Sequence, residues 1–149
     1  MLKLKGRKIL FVGGGKVATR KILSVVGHSC PEITIISPVI TREIECLVKR
    51  LHIEWIKGYF DETLVAQDYF MAFVCTDDKS LNSKIAEFLK SRGTLVNVCD
   101  NKEISDFYTV ATLPLEDAII SVSTKGGSPE KSKKIKSFIL EALSKTPFS

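Results

Sequence analysis

Runs of apolar residues alternate with helix-patterned segments along about the first hundred residues of this chain. Lys8–Val12 is an apolar run of strand length that leads straight into Gly13-Gly14-Gly15, and Lys16–Val26 follows as a helix ended by Gly27. Ile33–Ile36 is a β-branched run stopped by Pro38. Thr41–Leu51 sets Ile44, Leu47, Val48 and Leu51 at the spacing of one helical face, with Thr41 at the cap position and Glu43 in the first turn. Ile53–Ile56 predicts a third strand, Asp61–Ala66 a short helix, and Tyr69–Cys75 a strand apolar on both faces and therefore buried. Lys79–Lys90 aligns Leu81, Ile85, Phe88 and Leu89, Gly93 lies just past it, and Leu95–Val98 is the fifth strand. Such alternation predicts an α/β fold of Rossmann type, a parallel sheet with right-handed crossovers flanked by helices.

Past Asp100 the rhythm changes. Phe107–Ala111 and Ala118–Ser123 read as two strands joined by the turn-rich Leu113-Pro114-Leu115-Glu116-Asp117, either an edge hairpin or an element exchanged in a dimer. A last helix runs from about Pro129 to Leu143, with proline in its first turn and Ile135, Phe138, Ile139 and Leu143 on one face. The expected division is a nucleotide-binding domain over residues 1–106 and a strand pair with its helix over 107–149.

Composition narrows the picture only modestly. The 149 residues suffice for one well-buried core, with 44% apolar and 26% charged residues as in an ordinary soluble protein. No apolar run approaches the ~20 residues of a membrane span, and the first residues lack the pattern of a secretory signal. Cys30, Cys46, Cys75 and Cys99 form no CxxC pair and read as buried, reduced thiols, which together with the missing signal predicts a cytoplasmic protein. The net charge of +5 suits an anionic ligand such as a dinucleotide or a polycarboxylate, and equally suits none in particular.

The chemistry expected of such a sheet lies beyond the carboxyl ends of its strands. At the first, Gly13 permits a tight turn, Gly15 leaves no side chain between backbone and pyrophosphate, and the small Ala18 lets the helix pack close. The N–H groups that open the helix then face the phosphates, aided by the helix dipole. At the second, Ser37 stands where an acidic residue usually binds the ribose hydroxyls, and it still offers one hydrogen bond. Arg42 either meets a 2′-phosphate or lies in solvent on the next helix. At the third, Thr76-Asp77-Asp78 both lines the pocket edge and offers a helix cap. At the fourth, Asn97-Val98-Cys99-Asp100 ends in a carboxylate that acts as a base or orients a substrate nitrogen; the rival reading is a turn or cap acid. Ser123-Thr124-Lys125-Gly126-Gly127-Ser128-Pro129 is a second glycine-rich loop, an anion cradle or simply a loop with Ser128 as N-cap. Lys131, Lys133, Lys134 and Lys136 form a solvated face or attract a polyanion. His28 and His52 lie away from the strand tips, which disfavours histidine acid–base chemistry.

In this order the segments resemble the precorrin-2 dehydrogenase family, the N-terminal module of siroheme synthases. The matching residues are Val12-Gly13-Gly14-Gly15-Lys16-Val17-Ala18 with Arg20-Lys21, Ile33–Pro38, Gly58-Tyr59-Phe60-Asp61, Thr76-Asp77-Asp78 with Asn82, Val96–Asp100, Asp106-Phe107 and Ser123–Pro129. The resemblance spans roughly residues 3 to 137, and the family tolerates a serine–proline pair after the second strand. It implies NAD-dependent oxidation of precorrin-2, a tetrapyrrole bearing many carboxylates, to sirohydrochlorin, by a homodimer. It implies that Gly13, Gly14, Gly15, Lys16, Val17, Ala18, Ser37, Pro38, Thr76, Asp77 and Asn97 bind the cofactor. Asp100 falls on the family's active-site aspartate, for proton transfer or substrate positioning, while Ser123, Lys125, Gly126, Gly127 and Ser128 face the tetrapyrrole. Some members also insert Fe²⁺ into the product; no metal-ligand cluster is visible in the sequence, and that activity stays open.

Lys125 stands where the family usually has glycine and Val110 where it usually has proline. The chain also ends soon after the last helix, where longer members continue with a helical region that helps them dimerise and enclose the substrate. The rival expectations are a module that binds dinucleotide or tetrapyrrole without turnover, and an interaction subunit that docks through residues 107–123.

Overall fold

The computed structural model describes residues 2–27, 31–124 and 127–145. The chain divides into two compact units, Met1–Phe107 and Tyr108–Ser149. The first contains β1 (Lys8–Val12), α1 (Lys16–Val26), β2 (Glu32–Ile36), α2 (Arg42–Leu51), β3 (Glu54–Ile56), β4 (Met71–Val74), α3 (Lys79–Ser91) and β5 (Leu95–Val98). Its strands form a single parallel sheet in the order β3-β2-β1-β4-β5. The chain steps outward from β1 to β3, then crosses back to lay β4 on the other flank of β1. Strand order therefore switches at the tip of β1, where open α/β sheets bind their ligands.

Side chains alternate across the strands and so build two cores. Leu10, Val12, Ala72, Val74, Val96 and Val98 pack on one face with Ile85, Ala86 and Leu89 of α3. Ile9, Phe11, Ile33, Ile35, Met71 and Phe73 pack on the other with Ala18 and Ile22 of α1 and Ile44 of α2. Phe11 and Phe73 stack with centroids 4.8 Å apart, and Phe107 meets Phe73 edge-on at 5.4 Å. Thr41 caps α2 by accepting from Ile44 N–H at 3.3 Å, and His52 closes it in the left-handed region at φ 51°.

The elements depart from the sequence reading in a few places. The expected helix at 61–66 is one 3-10 turn, Glu62–Leu64, whose N-cap Asp61 accepts from Thr63 N–H at 2.9 Å. Cys46 is exposed on α2 rather than buried. Cys75 and Cys99 are paired across the adjacent tips of β4 and β5, with Cα atoms 5.3 Å apart, rather than standing as separate thiols. Strand register brings them together, which spacing along the chain does not reveal. Cys30 and His28 lie outside the described residues.

The second unit holds β6 (Ala111–Pro114), β7 (Ile119–Val122) and α4 (Pro129–Lys145). β6 and β7 pair antiparallel, and Leu115 N–H to Ala118 carbonyl closes the turn at 2.7 Å. The first strand of the pair starts at Ala111, later than the pattern predicts, and Pro114 belongs to the strand rather than the turn. Proline fits there because a strand end makes no demand on its missing N–H. On α4, Ile135, Ile139 and Leu143 are half-buried while Phe138 stays 73% exposed. Among the described residues no helix is long and apolar enough to cross a membrane.

Candidate functional site

The three glycines after β1 do different work. Gly13 has φ +108°, and a Cβ there would stand 2.5 Å from the Cys75 carbonyl oxygen. A Cβ on Gly14 would stand 2.3 Å from Val39 O and 2.8 Å from Ser37 Oγ. These two are glycine because neighbouring backbone occupies the space. Gly15 is exposed with nothing within 4 Å of its absent Cβ, and it is the N-cap of α1 without a side-chain cap. The opening N–H groups of α1 thus have neither an intrahelical acceptor nor a cap, and they border open space. That arrangement fits a dinucleotide diphosphate. Ala18 is fully buried against the sheet, whereas Lys16 and Val17 are exposed. Thr41 N–H donates to Gly14 O at 3.0 Å and Thr19 and Thr41 hydroxyls share a 2.8 Å bond, so the turn is held from α2 as well.

The tip of β2 differs from its expected role. Ser37 is 4% exposed, and its hydroxyl donates to Val39 O at 2.6 Å. Its N–H donates to Ile56 O at 3.2 Å, and its carbonyl accepts from Trp55 Nε1 at 3.0 Å. The residue props the loop against which Gly14 packs, with its hydroxyl turned inward rather than offered to a ribose. Pro38 is half-buried beside it, and Arg42 is exposed at the start of α2.

Beyond β4 and β5, the structure joins groups that the sequence left apart. Asn82 of α3 is 1% exposed. Its amide nitrogen donates to Thr76 O at 3.0 Å and to Asp100 Oδ1 at 3.3 Å. Its Oδ1 accepts from Thr76 N–H at 3.3 Å and from the Thr76 hydroxyl. Asp100 is exposed at the β5 end of this network. Asp78 is the cap of α3, accepting from Leu81 N–H at 2.9 Å, and Asp77 is exposed beside it. Asn82 is among the residues that carry the family resemblance, yet the sequence assigns it no function, though a signal was present. Asn82, Ile85, Ala86 and Leu89 follow i, i+3, i+4, i+7, which puts a carboxamide in the buried stripe.

Asn97 does not reach toward a ligand. It is 5% exposed, and its amide donates to Phe107 O at 2.8 Å. With Asp106 N–H to Val96 O (2.8 Å), Val96 N–H to Asp106 Oδ2 (2.8 Å) and Val98 N–H to Ser105 Oγ (2.9 Å), it fastens residues 105–107 along β5. Burial pushes the Asp106 carboxyl up, but hydrogen bonds from Lys90 and Val96 and the Lys90 charge outweigh it, so the net shift is downward. On α1, the Lys21 ammonium lies 5.8 Å from the Phe73 ring centroid, and burial, helped by Arg20, lowers its pKa to about 8.

In the second unit, Ser128 caps α4 by accepting from Lys131 N–H at 3.1 Å, and its own N–H donates to Thr124 Oγ1 at 3.1 Å. Gly127 N–H donates to Thr124 O at 2.9 Å. Ser123 is exposed, and Lys125 and Gly126 lie outside the described residues. Among the described residues, no three His, Cys, Asp or Glu side chains converge as metal ligands.

A parallel sheet that switches order at an open, uncapped glycine turn defines a dinucleotide-binding protein of Rossmann type, and the profile of an NAD(P)-binding family matches residues 1–111. The chain belongs to the precorrin-2 dehydrogenase family. It is 30% identical over 137 residues to a precorrin-2 dehydrogenase of Bacillus subtilis, covering 90% of this chain and 81% of that protein. A siroheme synthase of Thioalkalivibrio sulfidiphilus is 33% identical over 139 residues, 93% of this chain but 28% of the longer protein. The chain thus spans under a third of that siroheme synthase. Among solved structures, the precorrin-2 dehydrogenase SirC superposes with a TM-score of 0.80 at 27% identity, over 95% of this chain and 69% of SirC.

Proposed function

We propose that this protein oxidises precorrin-2 to sirohydrochlorin with NAD, on the way to siroheme. The observation that carries the reading is the presence of two features at the same edge of the sheet, on tips separated by that of β4: the uncapped turn at Gly15 after β1 and the exposed carboxylate of Asp100 after β5. Bound NAD supplies the hydride acceptor. Gly15, Lys16, Val17 and Ala18 hold its diphosphate through backbone N–H groups and the α1 dipole, which favour negative charge. Gly13, Gly14, Ser37 and Pro38 shape the turn and its adenosine side, and Asn97 supports the site by fastening Phe107. Thr76 and Asp77 border the nicotinamide end. Asp100 accepts the proton that the macrocycle gives up as its hydride leaves. Its Oδ1 is engaged by Asn82, which leaves Oδ2 for substrate.

The substrate's carboxylates suit a chain of net charge +5. In this reading residues 1–106 are the cofactor domain and 107–149 the substrate and dimer side. Ser123, Lys125, Gly126, Gly127 and Ser128 meet the tetrapyrrole there. A cytoplasmic homodimer completes the proposal, and the exposure of Phe138 (73%), Leu140 (52%) and Ile119 (42%) supports a covering partner. The test is to incubate the protein with precorrin-2 and NAD and follow NADH absorbance. Turnover is expected; NAD binding without turnover overturns the enzyme reading in favour of a binding module. Light scattering is expected to report a dimer.

A further inference from the structure

A buried carboxamide must have its hydrogen-bonding capacity met locally, because leaving it unmet is costly. At Asn82 all of it is met by two strand tips. Both acceptor positions of Oδ1 are filled by Thr76, and both protons of Nδ2 are placed, one on Thr76 O and one on Asp100 Oδ1. The partners fix which end is which: reversing the amide would set its oxygen against a carboxylate and its nitrogen against an N–H. Thr76 follows β4 and Asp100 follows β5. One side chain rooted in the core therefore ties the exposed carboxylate to the strand beside β1.

We infer that Asn82 is a positioning residue for the dehydrogenation. By holding Asp100 Oδ1 it restricts the carboxylate to one rotamer and presents Oδ2 to the proton it accepts. The inference rests on the reading of Asp100 as proton acceptor. An exposed aspartate without such a tie samples several rotamers, and a displacement of about 1 Å at a reacting group costs up to ~100-fold in rate.

The test uses Asn82→Asp, Asn82→Ala, Asp100→Ala and the double variants in the full chain. Asn82→Asp is nearly isosteric and keeps an acceptor for Thr76 while replacing the donor that faces both Thr76 O and Asp100 Oδ1, and thermal denaturation of each variant reports whether it folds. NAD affinity, read by fluorescence titration, should stay within about threefold of wild type for Asn82→Asp. Its kcat should fall about 10- to 100-fold with little change in KM. Adding Asn82→Asp to Asp100→Ala should cost nothing further, because the two act through one contact. Losses that multiply, a wild-type kcat in Asn82→Asp, or a loss confined to NAD affinity would each overturn the inference and leave Asp100 untouched. Full turnover by Asp100→Ala alone would instead overturn the Asp100 reading, and the inference with it.

Discussion

Replacing Gly13 by alanine and Gly15 by serine separates what the glycine turn does for folding from what it does for binding. At Gly13 the added methyl carbon falls 2.5 Å from Cys75 O and 2.8 Å from Cys75 C. Those atoms are backbone, and Cys75 N–H is already committed to Val12 O at 2.8 Å, so the methyl cannot be accommodated by a side-chain rotation. The φ of +108° adds conformational strain for any L side chain. Strain of this kind costs about 1–3 kcal/mol and overpacking a similar amount, so a loss of roughly 2–4 kcal/mol is expected after partial relaxation. For a chain of this size that lowers Tm by roughly 5–15 °C. Gly15 has open space and an extended N-cap backbone at φ −81°, ψ −170°, which serine adopts readily. Its hydroxyl would cap α1 and hold stability or raise it by about a few tenths of a kcal/mol. The same hydroxyl would occupy the N–H groups assigned to the diphosphate, so NAD should bind about tenfold or more weakly, roughly 1.4 kcal/mol. Thermal denaturation and calorimetric titration of both variants decide the matter. A Gly13→Ala protein that melts with wild type, or a Gly15→Ser protein that keeps full NAD affinity, would refute the reasoning.

Asp100→Asn should cut precorrin-2 oxidation by about 100-fold or more, the scale of a lost general base, while NAD titration changes little; equal loss of both would make the residue structural. Lys21→Met should be more stable than wild type near neutral pH. The folded-state pKa of Lys21 is about 8 against an ordinary 10.5, so between those values the unfolded chain binds the extra proton and wild-type stability rises with pH. The variant's advantage should therefore narrow as urea denaturation is repeated from pH 7 toward 10.5, and a constant gap would contradict it. Asp106→Asn should cost about 1 kcal/mol at neutral pH, a charge-assisted bond discounted for exposure. Because the folded-state pKa of Asp106 lies below the ordinary 3.8, that deficit should persist above this value and close as the pH falls through and below it.

Much of this protein was legible in its sequence because the signals were local. The apolar runs within Lys8–Val12 and Met71–Val74 have strand length and are bounded by turn residues, which reads as strands buried on both faces, and alternation with helices makes them parallel. A glycine turn between strand and helix has few other uses, and the caps at Thr41 and Asp78 are set by the few residues around them. The strand pair of the second unit was read less well. Apolar residues at Phe107, Tyr108 and Val110 mimic a strand, yet Phe107 turns onto Phe73 and the pairing starts only at Ala111.

The sequence by itself determined the kinds of element, their order, and the polar residues delivered to each strand tip, since these depend on periodicity and short-range chemistry. Only the tertiary structure decided what each polar residue does there. Ser37 and Asn97 are turned inward to hold backbone, Cys75 meets Cys99, and Asn82 reaches Asp100 across eighteen positions of chain. Those outcomes follow from strand order and register, which place distant residues within hydrogen-bond reach, and from the cost of leaving any buried polar group unpaired.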